Sequence, residues 1–316
     1  MKIACIGAGR MGRGIALAFA RAGYDISVVD LKPRSVPDWK KLQAEAMAEM
    51  EAALAMLAEL GAGSPGALAR IRMVPYAEAQ VLSEAELIFE AVPETLEAKR
   101  DAFERLCKLA SPQAILASTT STILVTDLVP LVTHPERLLN AHWLNPAYLI
   151  PLVELSVHKN TSEKVIERLR RLLEEAGKVP VLCGPTPGYI VPRLQALIMN
   201  EAARMVEEGA ASAEDIDKAT RYGLGLRFAA IGVIEFIDYG GNDILYYASR
   251  YLAETVSRER YTAPENVQRL MREGHLGLKS GQGFYDYRER DGRAYRKDVL
   301  ARTLAALEIF KRRKEP

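Results

Sequence analysis

The chain has 316 residues, a formal net charge of +1, 49% hydrophobic residues and 26% charged residues. That length exceeds one ordinary core and predicts two domains. The near-neutral charge, with Lys and Arg spread along the chain, excludes an electrostatic footprint for nucleic acid or a membrane surface.

No stretch approaches the roughly 18 apolar residues of a membrane span. The start, MKIACIGAG, runs straight into a glycine-rich turn and reads as a first strand rather than a signal peptide. Three widely spaced cysteines, Cys5, Cys107 and Cys183, suit neither a disulfide framework nor a metal site. The expectation is a cytoplasmic protein with reduced thiols and no metal.

KIACIGAG (2–9) is a short apolar run ending in glycines, a buried strand entering a turn. MGRGIALAFARAG (11–23) has helical spacing and stops at Gly23, and YDISVVD (24–30) is the next strand. Together they form a β-α-β unit, the opening of a doubly wound, Rossmann-type parallel sheet. Residues 38–60, rich in Ala, Met, Leu and Glu, predict one long helix as half of an inserted helical hairpin. Alternation then resumes. Strands are expected at 86–92, 113–119, 138–144, 151–158 and 179–184, with helices at 96–110 and 162–177.

GPTPG (184–188) packs two prolines and two glycines into a linker. The domains are therefore read as 1–186, carrying the sheet and the insert, and 187–316, all helical. Helices are expected at 189–209, after Ser212 in the manner of a capping box with Asp215, and at 298–314. Residues 228–255 are apolar around most of a helix except at a Gly-Gly break. Such a helix is buried, in its own core or against a second subunit, and the expectation is a homodimer through this domain.

GAGRMG (7–12) places Gly7, Gly9 and Gly12 in the G-x-G-x-x-G pattern, with Ala8, Arg10 and Met11 completing the turn. The pattern acquires meaning here because it follows a predicted strand and opens a predicted helix. Gly7 permits a tight turn, Gly9 lets backbone approach a pyrophosphate, and Gly12 lets helix and strand pack closely. The helix start offers unpaired N–H groups to phosphates. Asp30 ends the second strand, 18 residues after Gly12. A carboxylate there accepts hydrogen bonds from the adenine ribose and repels a 2′-phosphate, which favours NAD over NADP. Lys32 and Arg34 just beyond it are basic enough to bind that phosphate.

His142 falls at the end of a predicted strand, where ligands of an open parallel sheet bind. STTST (118–122) follows another strand and opens onto the same edge. Glu154 stands twelve residues after His142, within reach of an imidazole in principle. Oxidation of an alcohol by nicotinamide needs a base for the hydroxyl proton, and a carboxylate partner fixes a histidine's tautomer. On spacing alone, His142 is either such a base or a hydrogen-bonded core histidine. His134, His158 and His275 sit in polar turn or loop sequence and read as solvated.

At this point the sequence resembles the L-3-hydroxyacyl-CoA dehydrogenases and their relatives acting on free hydroxy acids, such as L-gulonate 3-dehydrogenase and carnitine dehydrogenase. The resemblance covers about residues 2–288 and several motifs in order. His142, Asn145, Pro146 and Val153-Glu154 match the H-x-x-N-P … V-E stretch. The match implies His142 as base, Glu154 as its orienting partner and Asn145 as a contact to the substrate oxygen. Ser121, in Thr120-Ser121-Thr122, matches the serine 21 residues before the histidine and by resemblance bonds the reacting hydroxyl. Glu90, Ala91, Glu94 and Lys99 match E-A-x-x-E-x-x-x-x-K, which implies Glu94 and Lys99 at the nicotinamide end of NAD. GLKSGQGFYDY (277–287) matches G-x-K-[ST]-G-x-G-F-Y and implies Lys279 at the cofactor site.

Two departures concern the substrate. The interdomain helix usually begins G-F-x-x-N-R; here it reads Gly188-Tyr189-Ile190-Val191-Pro192-Arg193, and proline offers no side-chain hydrogen bond. After Lys40 and Lys41 the insert has no basic residue until Arg70, whereas the acyl-CoA enzymes carry several lysines there. The resemblance implies NAD-dependent oxidation of a short L-3-hydroxyacyl-CoA and a place in fatty acid metabolism. The departures favour a free 3-hydroxy acid as the alternative. A dinucleotide-binding module without turnover is the reading from another class.

Overall fold

A computed structural model describes residues 1–311. The chain divides into two compact units, Met1–Ile198 and a second beginning at Met199.

The first unit is one eight-stranded sheet flanked by helices. Its strands are β1 (Ile3–Ile6), β2 (Ile26–Val29), β3 (Ile71–Val74), β4 (Leu87–Glu90), β5 (Ile115–Ser118), β6 (Leu138–Trp143), β7 (Leu152–Ser156) and β8 (Val179–Cys183). Their order is β3-β2-β1-β4-β5-β6-β7-β8. The first six are parallel neighbours, so the order reverses between β1 and β4, the switch point where doubly wound sheets bind ligands. Helices α1 (Arg10–Arg21), α2 (Val36–Glu59), α3 (Leu96–Leu109), α4 (Val125–Leu128) and α5 (Glu163–Glu175) connect them.

Alternation along the strands feeds two cores. Ile3 and Cys5 face a cluster with Phe19, Phe89, Trp143 and Leu172, while Ala4 and Ile6 face another with Phe103, Leu106 and Leu138. Each fully buried large apolar side chain contributes roughly 1.5–3 kcal/mol. Both faces are therefore covered, the condition for a parallel sheet.

Within the first unit the structure departs from expectation in three places. β7 runs antiparallel to β6, because the connection at 144–151 is shorter than the dozen or so residues that a parallel crossover needs. β3 was not anticipated, since IRMV is short and carries exposed Arg72 at a sheet edge. The insert holds one helix, not a hairpin. Ser35 caps α2 by accepting from the Asp38 N–H at 3.2 Å, and after Glu59 the glycine- and proline-rich return, with Gly61 and Gly66 at positive φ, supports only a 3-10 turn at Leu68–Arg70.

Helix α6 (Val191–Glu207) begins in the first unit and continues into the second. There follow α7 (Ala213–Ala219), α8 (Leu226–Ala230), α9 (Val233–Gly240), α10 (Asn242–Thr255), α11 (Arg258–Tyr261), α12 (Glu265–Arg272) and α13 (Gly292–Lys311). Ser212 caps α7 by accepting from the Asp215 N–H. The apolar 228–255 stretch is three helices, broken at Ile231-Gly232 and at Gly241, and it is only partly buried within the single chain. Ile244, Tyr247 and Tyr251 are exposed. The expected tail helix starts earlier, at Gly292, and its last positions, 312–314, lie outside the described residues. Among the described residues no helix is long and apolar enough to cross a membrane, and no cluster of His, Cys, Asp or Glu could hold a metal ion.

Candidate active site

Gly7 follows β1 at the switch point. Its φ is +98°, and a Cβ there would meet the Ala91 carbonyl oxygen at 2.7 Å. At Gly12 a Cβ would lie 1.9 Å from the Gly7 oxygen, so no side chain fits. The turn thus presses α1 against β1 and β4. The first helical bond is Arg13 N–H to Gly9 oxygen, which leaves the N–H groups of Arg10, Met11 and Gly12 without helical partners. No acidic side chain occupies that first turn, and nothing lies within 4 Å of the place a Gly9 side chain would take. This free, positive helix end faces a cleft of about 500 Å³ lined by Gly7, Gly9, Arg10, Asp30 and Arg34 among others.

Asp30 directly follows β2 at the far end of the cleft, where it accepts the Lys32 N–H at 3.2 Å and pairs with the Arg34 guanidinium. Pyrophosphate on the helix end and ribose on Asp30 fit a dinucleotide, and Arg34 is engaged by the carboxylate rather than free for a 2′-phosphate.

His142 and Glu154 are directly opposite partners across the β6–β7 hairpin, so their side chains leave the sheet on the same face. The imidazole Nδ1 lies 2.8 Å from Glu154 Oε2. The other carboxylate oxygen accepts the main-chain N–H groups of Ile190 and Val191, each at 2.8 Å. Glu154 is fully buried, at 0% exposure. Burial alone raises its pKa, but the hydrogen bonds from His142 and from the two amides outweigh it and hold the carboxyl below its ordinary value. An ionised Glu154 keeps the proton on Nδ1 and leaves Nε2 as the basic nitrogen, the arrangement that general-base chemistry requires.

Glu94 organises the turn that carries Ser121. One of its oxygens accepts the Thr120 hydroxyl at 2.5 Å, the Ser121 and Thr122 N–H groups at 2.8 Å each, and the Thr122 hydroxyl at 2.9 Å. Desolvation raises the Glu94 pKa, and these donors together with Lys99 reverse the sign and lower it. The Ser121 side chain is exposed above this carboxylate-bound turn.

Lys99 lies beneath this turn. It is 0% exposed, and its ammonium lies 3.0 Å from each oxygen of buried Glu90, 3.4 Å from Ser118 Oγ and 3.7 Å from Glu94 Oε2. It braces the carboxylates beneath the Ser121 turn. Lys279 lies in the second unit, 2.5 Å from both oxygens of Asp243. Its turn is built on buried Asp238, which accepts the Phe284 and Tyr285 N–H groups at 3.0 and 2.8 Å.

Asn145 is exposed after β6, ahead of a cis peptide to Pro146. It lines a cavity of about 340 Å³ with Arg10, Arg13, Glu49 and Tyr148, and Arg13 pairs with Glu49 at 2.9 Å. Two cations hold this loop. Lys178 donates to the carbonyls of Ala147 (2.7 Å) and Ile150 (2.9 Å), and Arg21 donates to that of Tyr148 (2.8 Å). Pro192 sits in the first turn of α6, where its missing N–H costs no helical bond.

Some residues of the site escaped sequence reasoning. Asn140 sits inside the apolar strand run LLNAHW, and a polar residue buried in such a run is itself a signal. Tyr189 stacks on His142 with ring centroids 4.6 Å apart and planes 10° apart. Nothing local marks it, because 47 residues separate the two in sequence.

Comparison with known proteins agrees with this geometry. A family model described as 3-hydroxyacyl-CoA dehydrogenase, NAD binding domain, matches residues 2–186, and the corresponding C-terminal domain model matches residues 188–287. The chain is 28% identical to a 5-formyl-3-hydroxy-2-methylpyridine 4-carboxylate 5-dehydrogenase of Mesorhizobium japonicum, over 98% of each chain. It is 31% identical to a probable 3-hydroxybutyryl-CoA dehydrogenase of Deinococcus radiodurans, over 91% of this chain and 100% of the relative. A solved 3-hydroxyacyl-CoA dehydrogenase from Archaeoglobus fulgidus matches with a TM-score of 0.78 and 31% identity, covering 98% of this chain and 99% of the other. With a dinucleotide cleft at the switch point and both family domains matched in order, the chain belongs to the 3-hydroxyacyl-CoA dehydrogenase family, NAD-dependent oxidoreductases acting on a CH–OH group.

Proposed function

We propose that the chain interconverts a short L-3-hydroxyacyl-CoA and its 3-oxoacyl-CoA, with His142 as the base that takes the hydroxyl proton. The observation that carries this reading is the buried Nδ1–carboxylate contact of 2.8 Å, which leaves Nε2 to accept a proton. Bound NAD supplies the hydride acceptor. Ser121 and Asn145 hold the reacting oxygen, Glu154 orients the imidazole, and Gly7, Gly9, Gly12 and Asp30 hold the dinucleotide. Glu94 and Lys99 shape the floor of the nicotinamide end. The GPTPG segment marks the boundary between the cofactor domain and the helical domain. The exposed apolar residues of α10 fit a homodimer in the cytoplasm.

A free 3-hydroxy acid is the second reading. Helix α2 carries Lys40 and Lys41 against Asp38, Glu45, Glu49, Glu51 and Glu59, a balance that repels the phosphates of CoA. The Mesorhizobium relative, named for a pyridine carboxylate, is in line with it.

Acetoacetyl-CoA with NADH, assayed beside gulonate and carnitine with NAD, separates the two. Turnover of free acids alone would remove the thioester. A His142→Gln variant that binds NAD normally and keeps wild-type turnover would remove the base.

A further inference from the structure

Tyr189 belongs neither to the dinucleotide cleft nor to the His142–Glu154 pair, yet it touches two parts of the site. Its ring lies parallel to the imidazole of His142 at 4.6 Å. Its hydroxyl donates to the Thr120 carbonyl at 2.7 Å and accepts from Asn140 Nδ2 at 3.1 Å. Asn140 Nδ2 also reaches the Ile123 carbonyl at 3.0 Å, so the two ends of the turn carrying Ser121 are tied to one phenol–amide unit. The next two residues, Ile190 and Val191, donate their N–H groups to Glu154.

A single Nδ1–carboxylate bond does not fix an imidazole, because the terminal torsion of histidine is broad and the ring can swing about that bond. A second constraint must act on the face of the ring, and the tyrosine supplies it. The tyrosine is itself well held. It is 7% exposed, and its backbone takes a left-handed φ of 46°, a conformation that bulky residues avoid unless their surroundings impose it. Burial, the largest cause, pushes its phenol above the ordinary tyrosine range, so the hydroxyl remains a donor to Thr120.

We propose that Tyr189 is a positioning residue for His142: its ring sets the plane of the imidazole, and its hydroxyl locks that plane to the Thr120–Ile123 turn, so that the base and Ser121 keep one fixed relation. Ring and hydroxyl are separable by mutation. Tyr189→Phe keeps the stack and removes the tie, whereas Tyr189→Leu removes both.

The inference rests on His142 as base, so one readout is independent of turnover. In the full-length protein, the His142 ring-proton resonances, assigned with His142→Gln, sit in the shielding cone of the tyrosine. They should move downfield in Tyr189→Leu and stay near their wild-type positions in Tyr189→Phe. With whichever hydroxy substrate the wild type oxidises, kcat should fall about tenfold in Tyr189→Phe and about 100-fold in Tyr189→Leu, with KM for NAD within about twofold of wild type.

Unmoved His142 resonances in Tyr189→Leu would overturn the stack. Wild-type kcat in Tyr189→Phe would overturn the tie, and that variant decides the matter if Tyr189→Leu does not fold. Variants that lose only thermal stability, with kcat kept well below the melting temperature, would make Tyr189 merely structural. Absence of turnover in the wild type would instead count against the proposed function, and the resonance shifts would still decide the role of Tyr189.

Discussion

Replacing Glu154 by Gln separates orientation of the base from support of the fold. The carboxylate accepts three bonds of 2.8 Å while fully buried, two from the start of α6 at one oxygen and one from His142 at the other. A glutamine keeps the first two by placing its amide oxygen at Ile190 and Val191. Its NH₂ then faces His142 Nδ1 and can only donate, so Nδ1 must become the acceptor and the ring proton moves to Nε2. A protonated Nε2 cannot take a proton from substrate. The equivalent carboxylate-to-amide change beside a catalytic histidine costs about 10⁴ in kcat, and a loss of about 10³–10⁴ is expected here.

The fold should suffer far less. Hydrogen bonds to a charged acceptor contribute about 1.5–3 kcal/mol against about 0.5–1.5 for neutral ones, and relief from burying a charge offsets part of that difference. Net destabilisation should stay within about 2 kcal/mol. Steady-state kinetics, NAD titration by fluorescence and urea unfolding measure the three quantities. The pH dependence carries its own sign. The folded pKa of Glu154 is depressed, so the stability it supplies is fully present above its ordinary value of 4.5 and is lost as pH falls through the folded value. The stability gap between wild type and Glu154→Gln should therefore close in acid. A variant with intact NAD binding and kcat within about threefold of wild type would refute the tautomer argument.

Asp30→Ala should weaken use of NAD by about 10–100-fold in kcat/KM, the worth of a charged hydrogen bond, and should improve use of NADP by releasing Arg34. The ratio of the two kcat/KM values reads it directly. Lys99→Met leaves the Glu90 carboxylate buried without its cation and should cost about 3–5 kcal/mol in urea unfolding, with part of the loss recovered in Lys99→Met/Glu90→Gln. An additive double variant would show that the two charges do not interact.

Lys178, pressed against the Trp143 ring at 5.4 Å, has its pKa pushed down to about 8, by burial first and Arg21 second. Between about 8 and the unfolded value near 10.5 the unfolded chain holds more protons, so this group makes stability rise with pH. Its cost is complete below that window and gone above it, roughly 3 kcal/mol at about 1.36 kcal/mol per pH unit. Urea unfolding at pH 7 and pH 10 should show wild type gaining on Lys178→Met as pH rises, and a pH-independent difference would contradict this.

Short-range physics made much of this protein legible in the sequence. The strand, glycine turn, helix and strand that end in Asp30 are each specified within a few residues, by alternation, by Gly7 and Gly12 and by helical spacing, so they could be read before any contact was known. The doubly wound sheet followed from repetition of the same unit. The connection at 144–151 is also local, yet its shortness had to be weighed against a parallel habit, and it makes β7 turn back and place Glu154 opposite His142.

What lies beyond such windows depends on packing. No spacing rule announces that Tyr189 covers His142, that Lys178 ties down the loop after it, or that Lys99 is withdrawn beneath Glu94. Those contacts join residues far apart in the chain. They exist because a buried polar group must find a partner wherever the closed core brings one, and only the tertiary structure decides which partner that is.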